Sequence, residues 1–352
     1  MLDRYDLRDF GWDAFFESSF ENHAAQGLVA GRVAVQHRGA YVLFTQFGEL
    51  WAELTGRMLH DRSSPAELPA VGDWVAARPR LDEGRASIAA LLERRSKFSR
   101  NVAGFETDEQ VLAANVDVVF LVASLNADLN PRRLERYLTM AWAGGAEPVI
   151  VLTKSDLCYD LAEPLSMVEP VAQGIPVHVT SSATGDGIDA LRSYFAGART
   201  VALLGSSGVG KSSLVNALAG ADVQEVRPIR ADETGRHTTT RRELVVLSGG
   251  GLILDTPGMR ELQLWDDDGA IDSAFEDVSA LAALCKFRDC KHEHEPGCAV
   301  TGAIRAGALS ESRLRSYNKL QRELFALAIK KDKRAQSERR KEWRRTEKAR
   351  RR

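Results

Sequence analysis

A run of glycines, one lysine and several hydroxyl side chains follows the apolar segment Thr200–Leu204. Residues 205–212 read GSSGVGKS and match the P-loop pattern G-x-x-x-x-G-K-[ST] without a mismatch. Glycine lets successive backbone N–H groups wrap around a phosphate, and the helix that follows adds its N-terminal partial positive charge. We expect Lys211 to act catalytically at the β- and γ-phosphates and Ser212 to bind Mg²⁺. The candidate nucleotide-binding residues of this loop are Gly205, Ser206, Ser207, Gly208, Val209, Gly210, Lys211, Ser212 and Ser213.

An acidic motif, D-T-P-G at 255–258, comes about 40 residues after the P-loop. Asp255 can hold Mg²⁺ through water, and the Gly258 N–H can meet the γ-phosphate. Alone, such a motif is also typical of an ordinary turn, but after a P-loop and a second apolar strand it predicts a switch. Between the two motifs, residues 235–240 read GRHTTT and offer hydroxyl groups for Mg²⁺. Thr240 or Thr239 is the favoured ligand.

Two motifs that suit a guanine base precede the P-loop. Residues 153–156 read TKSD and resemble the N-K-x-D element of GTPases, in which the aspartate accepts both N–H groups of the guanine edge. We expect Thr153, Lys154, Ser155 and Asp156 to bind the base, with the Lys154 stem packed over it. Ser182 and Ala183, in the run TSSA, are expected to support the guanine O6. Thr153 replaces the asparagine that normally ties this loop to the P-loop, which predicts modest nucleotide affinity.

Three of the four cysteines lie close together near the C-terminal end. Cys285, Cys290, His292 and Cys298 have the spacing C-x₄-C-x-H-x₅-C. Three thiolates and one imidazole form a closed tetrahedral ligand set, so the sequence predicts one structural Zn²⁺ per chain. His294 is the alternative ligand if His292 points away, and incidental cysteines are the alternative to a metal site.

The order of the nucleotide motifs predicts the architecture that must position them. The guanine motifs stand at 153 and 180, before the phosphate motifs at 205 and 255, which reverses the usual order. Cutting a Ras-like fold between its third and fourth motifs produces this order, and the sheet still closes because the original termini lie near each other.

Alternating short elements support a doubly wound α/β sheet with helices on both faces. We predict helices over Pro131–Ala143, Ile188–Phe195 and Lys211–Leu218 and a helical stretch to about Gln173. The predicted strands are Val116–Val122, Pro148–Leu152, Pro176–Thr180, Thr200–Leu204, Glu243–Leu247 and Gly251–Leu254.

Short strand-like runs before residue 100 predict a small barrel of the OB type. The runs are Arg32–Gln36, Ala40–Thr45, Leu50–Leu54, Asp73–Ala77 and Ser87–Leu91. Basic residues alternate there with aromatic ones, as in barrels that bind RNA, although the aromatic side chains could instead fill the barrel. We therefore divide the chain into a lead-in (1–30), an OB barrel (31–99), a circularly permuted GTPase domain (100–265) and a zinc-binding helical domain with a basic tail (266–352).

Charge is distributed unevenly along the chain. The segment Lys330–Arg352 holds 13 Lys/Arg and 4 Asp/Glu, a net charge of +9, whereas the whole chain carries −2. Such a tail favours a nucleic-acid partner over a membrane, and its alternative is a solvated helix end. The N-terminus shows no signal peptide and the apolar runs are too short to cross a bilayer. With clustered cysteines instead of a disulfide framework, these features predict a cytoplasmic protein.

The chain resembles the circularly permuted ribosome small-subunit-dependent GTPase A (RsgA) family. The resemblance rests on the motif order TKSD, SSA, GSSGVGKS, RHTTT and DTPG, on the barrel before it and on the zinc spacing after it. It implies a GTP hydrolase that binds GTP or GDP with Mg²⁺ and acts, as a monomer, in late maturation of the 30S subunit, with 16S rRNA as a contact. It also implies slow hydrolysis that the subunit stimulates and that is coupled to release of the factor.

Residue 259, which follows D-T-P-G, is a methionine where Ras-like GTPases have a water-orienting glutamine. A thioether cannot position water, and by resemblance His237 is the candidate catalytic residue, with an exposed switch-loop histidine as the alternative. Two other functions stay open: a P-loop kinase or ATPase, which would not explain TKSD and SSA, and an RNA-binding assembly module whose hydrolysis is vestigial.

Overall fold

The structure is a computed structural model that describes residues 5–37, 39–61, 64–102, 105–126, 129–220, 242–255 and 269–350. The N-terminal part forms a 3₁₀ turn, Leu7–Phe10, and helix α1 (Ala14–Ala24). The Asp13 carboxylate caps α1 by accepting hydrogen bonds from the first-turn amides. Phe16 of α1 is buried against Trp74, which fixes the lead-in to the domain that follows.

Five strands form a closed barrel, as the sequence predicts. They are β1 (Val29–Gln36), β2 (Tyr41–Thr45), β3 (Gly48–Leu54), β4 (Trp74–Arg80) and β5 (Arg85–Leu91), with the short helix α2 (Gly56–Asp61) after β3. The strand order is β1-β2-β3-β5-β4, and β4 pairs back with β1, so the sheet closes on itself. Alternate residues point inward and form a separate apolar core that includes Val33, Leu43, Leu50, Val75 and Ile88.

The barrel's aromatic residues mostly pack inside the protein, which decides between the two interpretations of the sequence. Tyr41, Phe44 and Trp74 are all buried, and so is the guanidinium of Arg32. Trp51 is the exception, since 48% of it is exposed and its ring stacks on that of His37. Of the two alternatives, burial within the protein therefore holds for these three aromatic residues, and Arg32 is buried with them.

A two-stranded hairpin, which the sequence analysis did not predict, connects the barrel to the next domain. It consists of β6 (Lys97–Val102) and β7 (Phe105–Ala114), paired antiparallel. β6 spans the boundary that the sequence placed after residue 99; the domain boundaries stay predictions.

The next domain has the alternating elements predicted for a GTPase. They are β8 (Val118–Ser124), α3 (Pro131–Ala143), β9 (Glu147–Thr153), α4 (Ala162–Ala172), β10 (Val177–Val179), α5 (Ile188–Arg192), β11 (Thr200–Leu204), α6 (Lys211–Ala219), β12 (Arg242–Val246) and β13 (Leu252–Asp255). The strand order is β10-β9-β8-β11-β13-β12, with every pair parallel except β12–β13. Helices α3 and α4 bury residues in the core on one face, and α5 and α6 do so on the other. The predicted doubly wound sheet is thus confirmed.

The barrel and this sheet are joined through backbone pairing and one buried arginine. β12 pairs antiparallel with the end of β1, so both form a single extended sheet. Arg32 of β1 donates to the Phe10, Gly72 and Asn115 carbonyls and to the Thr200 hydroxyl. Burial lowers the pKa of Arg32 to about 10. One guanidinium therefore ties the lead-in, the barrel and strand β11 together.

Four helices complete the described chain: α7 (Ala270–Ala274), α8 (Glu276–Ala283), α9 (Ala299–Arg305) and the 40-residue α10 (Glu311–Arg350). This confirms the predicted helical C-terminal region. The described helices include none that is long and apolar enough to span a bilayer.

Candidate functional site

The predicted nucleotide motifs meet at one edge of the sheet. β8, β9, β10, β11 and β13 run parallel, so their carboxyl ends lie side by side. TKSD begins at the last residue of β9, the run TSSA follows β10, the P-loop follows β11, and Asp255 is the last residue of β13. In open α/β sheets, ligands bind outside the carboxyl ends of the strands. The fold therefore gathers motifs that are up to 100 residues apart in sequence.

The P-loop glycines are required by close backbone approaches. A Cβ at Gly205 would lie 2.4 Å from the Val122 carbonyl oxygen of the neighbouring strand. Gly210, the N-cap of α6, has a φ of +96°, which is costly for other residues. The Lys211 ammonium donates to the carbonyls of Gly205 (2.7 Å) and Ser206 (2.6 Å), so it arches over the loop that is expected to hold the phosphates.

Thr153 ties the base loop to the P-loop, although it replaces the asparagine that does so in other GTPases. Its hydroxyl lies 2.5 Å from the Val209 carbonyl, to which it donates, and 3.3 Å from that of Ala123. The Lys154 ammonium adds a second link by donating to the Gly208 carbonyl at 2.7 Å. These two contacts connect the base loop to the P-loop with threonine in place of the asparagine. The expected modest affinity stays a prediction.

Ser181, which was not among the predicted site residues, holds Asp156, the residue expected to recognise the guanine base. The Ser181 hydroxyl donates to Asp156 Oδ1 at 2.6 Å and accepts hydrogen bonds from the Ala183 and Thr184 amides. Ser181 is fully buried, whereas Ser182 and Ala183, the predicted residues, follow it along the loop. Two adjacent serines allow two registers of the motif, and only the contact with Asp156 distinguishes them.

Part of the predicted site lies outside the described residues. This holds for His237, Thr239, Thr240 and Gly258, and the backbone alone is described for Asp255. Asp255 ends β13 directly beside β11, the strand that leads into the P-loop. Its role as a Mg²⁺ ligand, like the roles of the other site residues, stays a prediction.

The four predicted metal ligands converge near the C-terminal helices. Their ligand atoms all lie within 4.8 Å of one another. Cys285 Sγ is 3.8 Å from Cys298 Sγ, and His292 Nδ1 is 3.6 and 3.5 Å from these two atoms. Tetrahedral Zn²⁺ with Zn–S of about 2.3 Å and Zn–N of about 2.1 Å requires S–S separations of about 3.8 Å and S–N separations of about 3.6 Å. The residues present therefore fit zinc, with His292 rather than His294 in the ligand set.

The loop between these ligands is held by hydrogen bonds from its backbone amides to one of its own carboxylates. Hydrogen bonds from the Lys291, Glu293 and His294 amides to the Glu295 carboxylate lower the pKa of Glu295 to about 2. Burial acts to raise the pKa of Cys298, yet hydrogen bonds, chiefly from Thr301, lower it. Burial and the neighbouring thiols raise the pKa of Cys290, so the proton is shared unevenly within this cluster of thiols.

Two family models match the chain. The RsgA GTPase model covers residues 91–265, and a model described as a 50S ribosome-binding GTPase covers residues 200–333. The first spans the base and phosphate motifs together in their permuted order.

Relatives match over most of the length. The chain is 49% identical to the small ribosomal subunit biogenesis GTPase RsgA of Opitutus terrae over 328 residues, which is 90% of this chain and 89% of the relative. Among solved structures, YjeQ from Thermotoga maritima has a TM-score of 0.63 and 28% identity, covering 85% of this chain and 99% of its own. YloQ, described as a circularly permuted GTPase, has a TM-score of 0.61 and 25% identity, covering 85% and 96%.

Proposed function

Because this chain belongs to the RsgA GTPase family, we propose that its GTP hydrolysis serves the late maturation of the small (30S) ribosomal subunit. The subunit stimulates hydrolysis, and hydrolysis releases the factor. The contacts of Thr153 and Lys154 with the P-loop carry the nucleotide part of this proposal, since they join a guanine-type motif to a phosphate-type motif. The ribosomal part rests on relatives such as the small ribosomal subunit biogenesis GTPase of Opitutus terrae. With this function we also propose that the chain acts in the cytoplasm and as a monomer.

Different residues at the carboxyl edge of the sheet bind the base, the phosphates and Mg²⁺. Asp156, held by Ser181, reads the guanine edge, and the backbone after Ser181 supports O6. Residues 205–213 hold the phosphates. Ser212, Asp255 and Thr240 or Thr239 would hold Mg²⁺, which neutralises the charge on the β- and γ-phosphates. Guanine selectivity separates this function from that of a P-loop kinase or ATPase.

Catalysis depends on Lys211 and on a group that positions water. Lys211 neutralises charge at the β- and γ-phosphates. Methionine at position 259 cannot orient water, and we assign this role to His237 by resemblance to the family. Docking on the subunit would then complete the site, which accounts for slow hydrolysis by the protein alone.

The barrel and the tail supply contacts to 16S rRNA. The exposed Trp51 stacks on the partly buried His37 at the barrel surface, and an unpaired base can stack on such a ring. The basic tail continues helix α10. The zinc site stabilises the C-terminal domain. Its four protein ligands leave no open position on the metal for catalysis.

GTP turnover by the full chain, measured with purified 30S, 50S and 70S particles, tests the proposal. We expect stimulation by 30S and none by 50S; Lys211→Ala protein with 30S is the control for contaminating GTPases. Stimulation by 50S alone would favour the second candidate, a large-subunit factor, which the match over residues 200–333 supports. Equal turnover with and without 30S would refute the role of the small subunit.

A further inference from the structure

Helix α3 contacts the P-loop at its first turn. The Arg133 guanidinium donates from Nη1 to the Ser206 hydroxyl at 2.7 Å. Ser206 is also the residue whose carbonyl accepts from the Lys211 ammonium at 2.6 Å. The side chain of Ser206 is thus held by α3, while its backbone is held by the phosphate-binding lysine. A shift of Arg133 would therefore move the segment on which Lys211 rests.

The same helix contacts the C-terminal domain through a buried ion network. Arg313 of α10 donates to Glu135 of α3 at 3.0 Å and binds both carboxylate oxygens of Asp277 at 3.0 and 3.1 Å. Its guanidinium also donates to the Ala274 carbonyl and lies 4.3 Å from the centre of the Phe275 ring. Arg313 and Glu135 are each about 4% exposed. Arg313 therefore joins α3, α7, α8 and α10 at one point.

The network leaves little freedom for α3 to move independently. Among the described residues, buried Glu135 Oε2 has no hydrogen-bond partner, so the contact at Oε1 is what compensates this carboxylate. Removing one partner of a buried ion pair is costly because the other charge stays buried. A second ion pair, Arg136 Nη1 to Glu323 Oε2 at 2.7 Å, joins α3 to α10 at a half-exposed position.

From these contacts we infer that α3 links the zinc domain to the P-loop, with Arg133 as a residue that positions the P-loop through Ser206. Displacing the zinc domain moves α3 through Arg313 and Arg136, and α3 moves the P-loop through Arg133. The link consists of folded, packed elements and does not pass through the switch segments. It deepens the proposed function, on which it rests, because a particle that binds the zinc domain would in this way act on the nucleotide site.

Release of methylanthraniloyl-GDP from the full chain, chased with unlabelled GDP, tests the contact between α3 and the P-loop. Arg133→Met and Ser206→Ala should each speed release on the order of 10-fold, the effect of one charge-assisted hydrogen bond. The double variant should be no faster than the faster single variant, because both remove the same contact. Arg132→Met, the same change at the exposed neighbouring position, should release GDP at the parent rate. Parent-like release from Arg133→Met, or multiplied effects in the double variant, would overturn the inference.

The link to the zinc domain is tested by exchanging the charges of its half-exposed ion pair. Arg136→Glu should speed GDP release about 3-fold, as expected for a partly exposed pair. The exchange Arg136→Glu/Glu323→Arg should restore the parent rate of GDP release, whereas a structural defect unrelated to this ion pair would persist in it. Its thermal midpoint should equal that of the parent protein. Arg313→Lys should also speed release and should add nothing in the Arg133→Met background. Parent-like release from both Arg136→Glu and Arg313→Lys would refute the link. These release rates are measured without ribosomal particles. GTP turnover that is equal with and without 30S would therefore refute the proposed function, and the release rates would still decide the inference.

Discussion

Replacing Asp156 by asparagine should exchange guanine for xanthine preference, and the structure fixes how the new amide orients. The Ser181 hydroxyl has one proton, which it donates to Asp156 Oδ1, and its lone pairs accept from two backbone amides. In Asp156→Asn it can therefore pair only with the amide oxygen. The amide NH₂ must then point toward the base, where it opposes the guanine N–H groups and donates to the carbonyl of xanthine.

The expected loss follows from the two hydrogen bonds that the carboxylate makes to guanine. A hydrogen bond to a charged group contributes about 1.5–3 kcal/mol, and one of the two becomes a repulsive contact. The binding free energy for GTP should therefore weaken by about 3–4 kcal/mol, which raises the Kd roughly 10²–10³-fold. The Kd for XTP should fall well below that of the parent.

Competition between labelled GDP and unlabelled GTP, XTP or ATP measures this exchange of specificity. The variant Asp156→Asn/Ser181→Ala is the informative control, because without the serine hydroxyl the amide is free to rotate. It should prefer XTP less strongly than Asp156→Asn does. If Asp156→Asn still selects GTP over XTP as the parent does, Asp156 is not the base reader.

The remaining predictions concern catalysis, the base loop, zinc and the tail. His237→Ala should keep GTP binding and lower single-turnover hydrolysis on 30S by about 10²–10⁴-fold; an unchanged rate would remove His237 from the mechanism. Thr153→Val should lower the free energy of unfolding by about 1–3 kcal/mol in chemical denaturation and Thr153→Ser should not, because only valine leaves the buried Val209 carbonyl without its donor. Elemental analysis should find one zinc per chain and clearly less in Cys290→Ser; full occupancy in that variant would reassign the ligand. A light-scattering titration with 30S should show tighter binding with a non-hydrolysable GTP analogue than with GDP, and deleting Lys330–Arg352 should flatten its salt dependence; equal affinities or an unchanged slope would contradict these two expectations.

The sequence predicted best those elements whose determinants are local. Helix α3 begins at Pro131 and ends at Ala143, as predicted, because proline suits the first helical position and the Asn130 side chain accepts from the next amides. The closely spaced zinc ligands and the continuous P-loop motif are local patterns of the same kind. In each case the spacing of residue types along the chain carries the structural information.

Contacts between distant segments could not be predicted in this way. Arg32 reads as a surface residue in a half-exposed strand, yet its partners include Thr200, 168 positions away. The β6–β7 hairpin escaped prediction because β6 reads KFSRNV, which lacks a clear apolar alternation. Ser181 and Ser182 are alike in type, so only the three-dimensional contact with Asp156 shows which one supports it.

The permuted chain order has a consequence for how nucleotide state can reach the barrel and the C-terminal helices. Glu243 of β12 pairs with Asp255 of β13 on one side and with Val35 of the barrel strand β1 on the other. Neighbouring strands lie about 4.8 Å apart, so the barrel backbone lies only about 10 Å from that of the candidate Mg²⁺-binding acid. Asp255 also begins the segment that leads into the zinc domain, since the cut of the fold follows this motif. A γ-phosphate that acts at Asp255 would influence the barrel across the sheet and the zinc domain along the chain. A conventional motif order would place the base-binding half of the fold between the switch and the zinc domain, and only the first of these routes would exist.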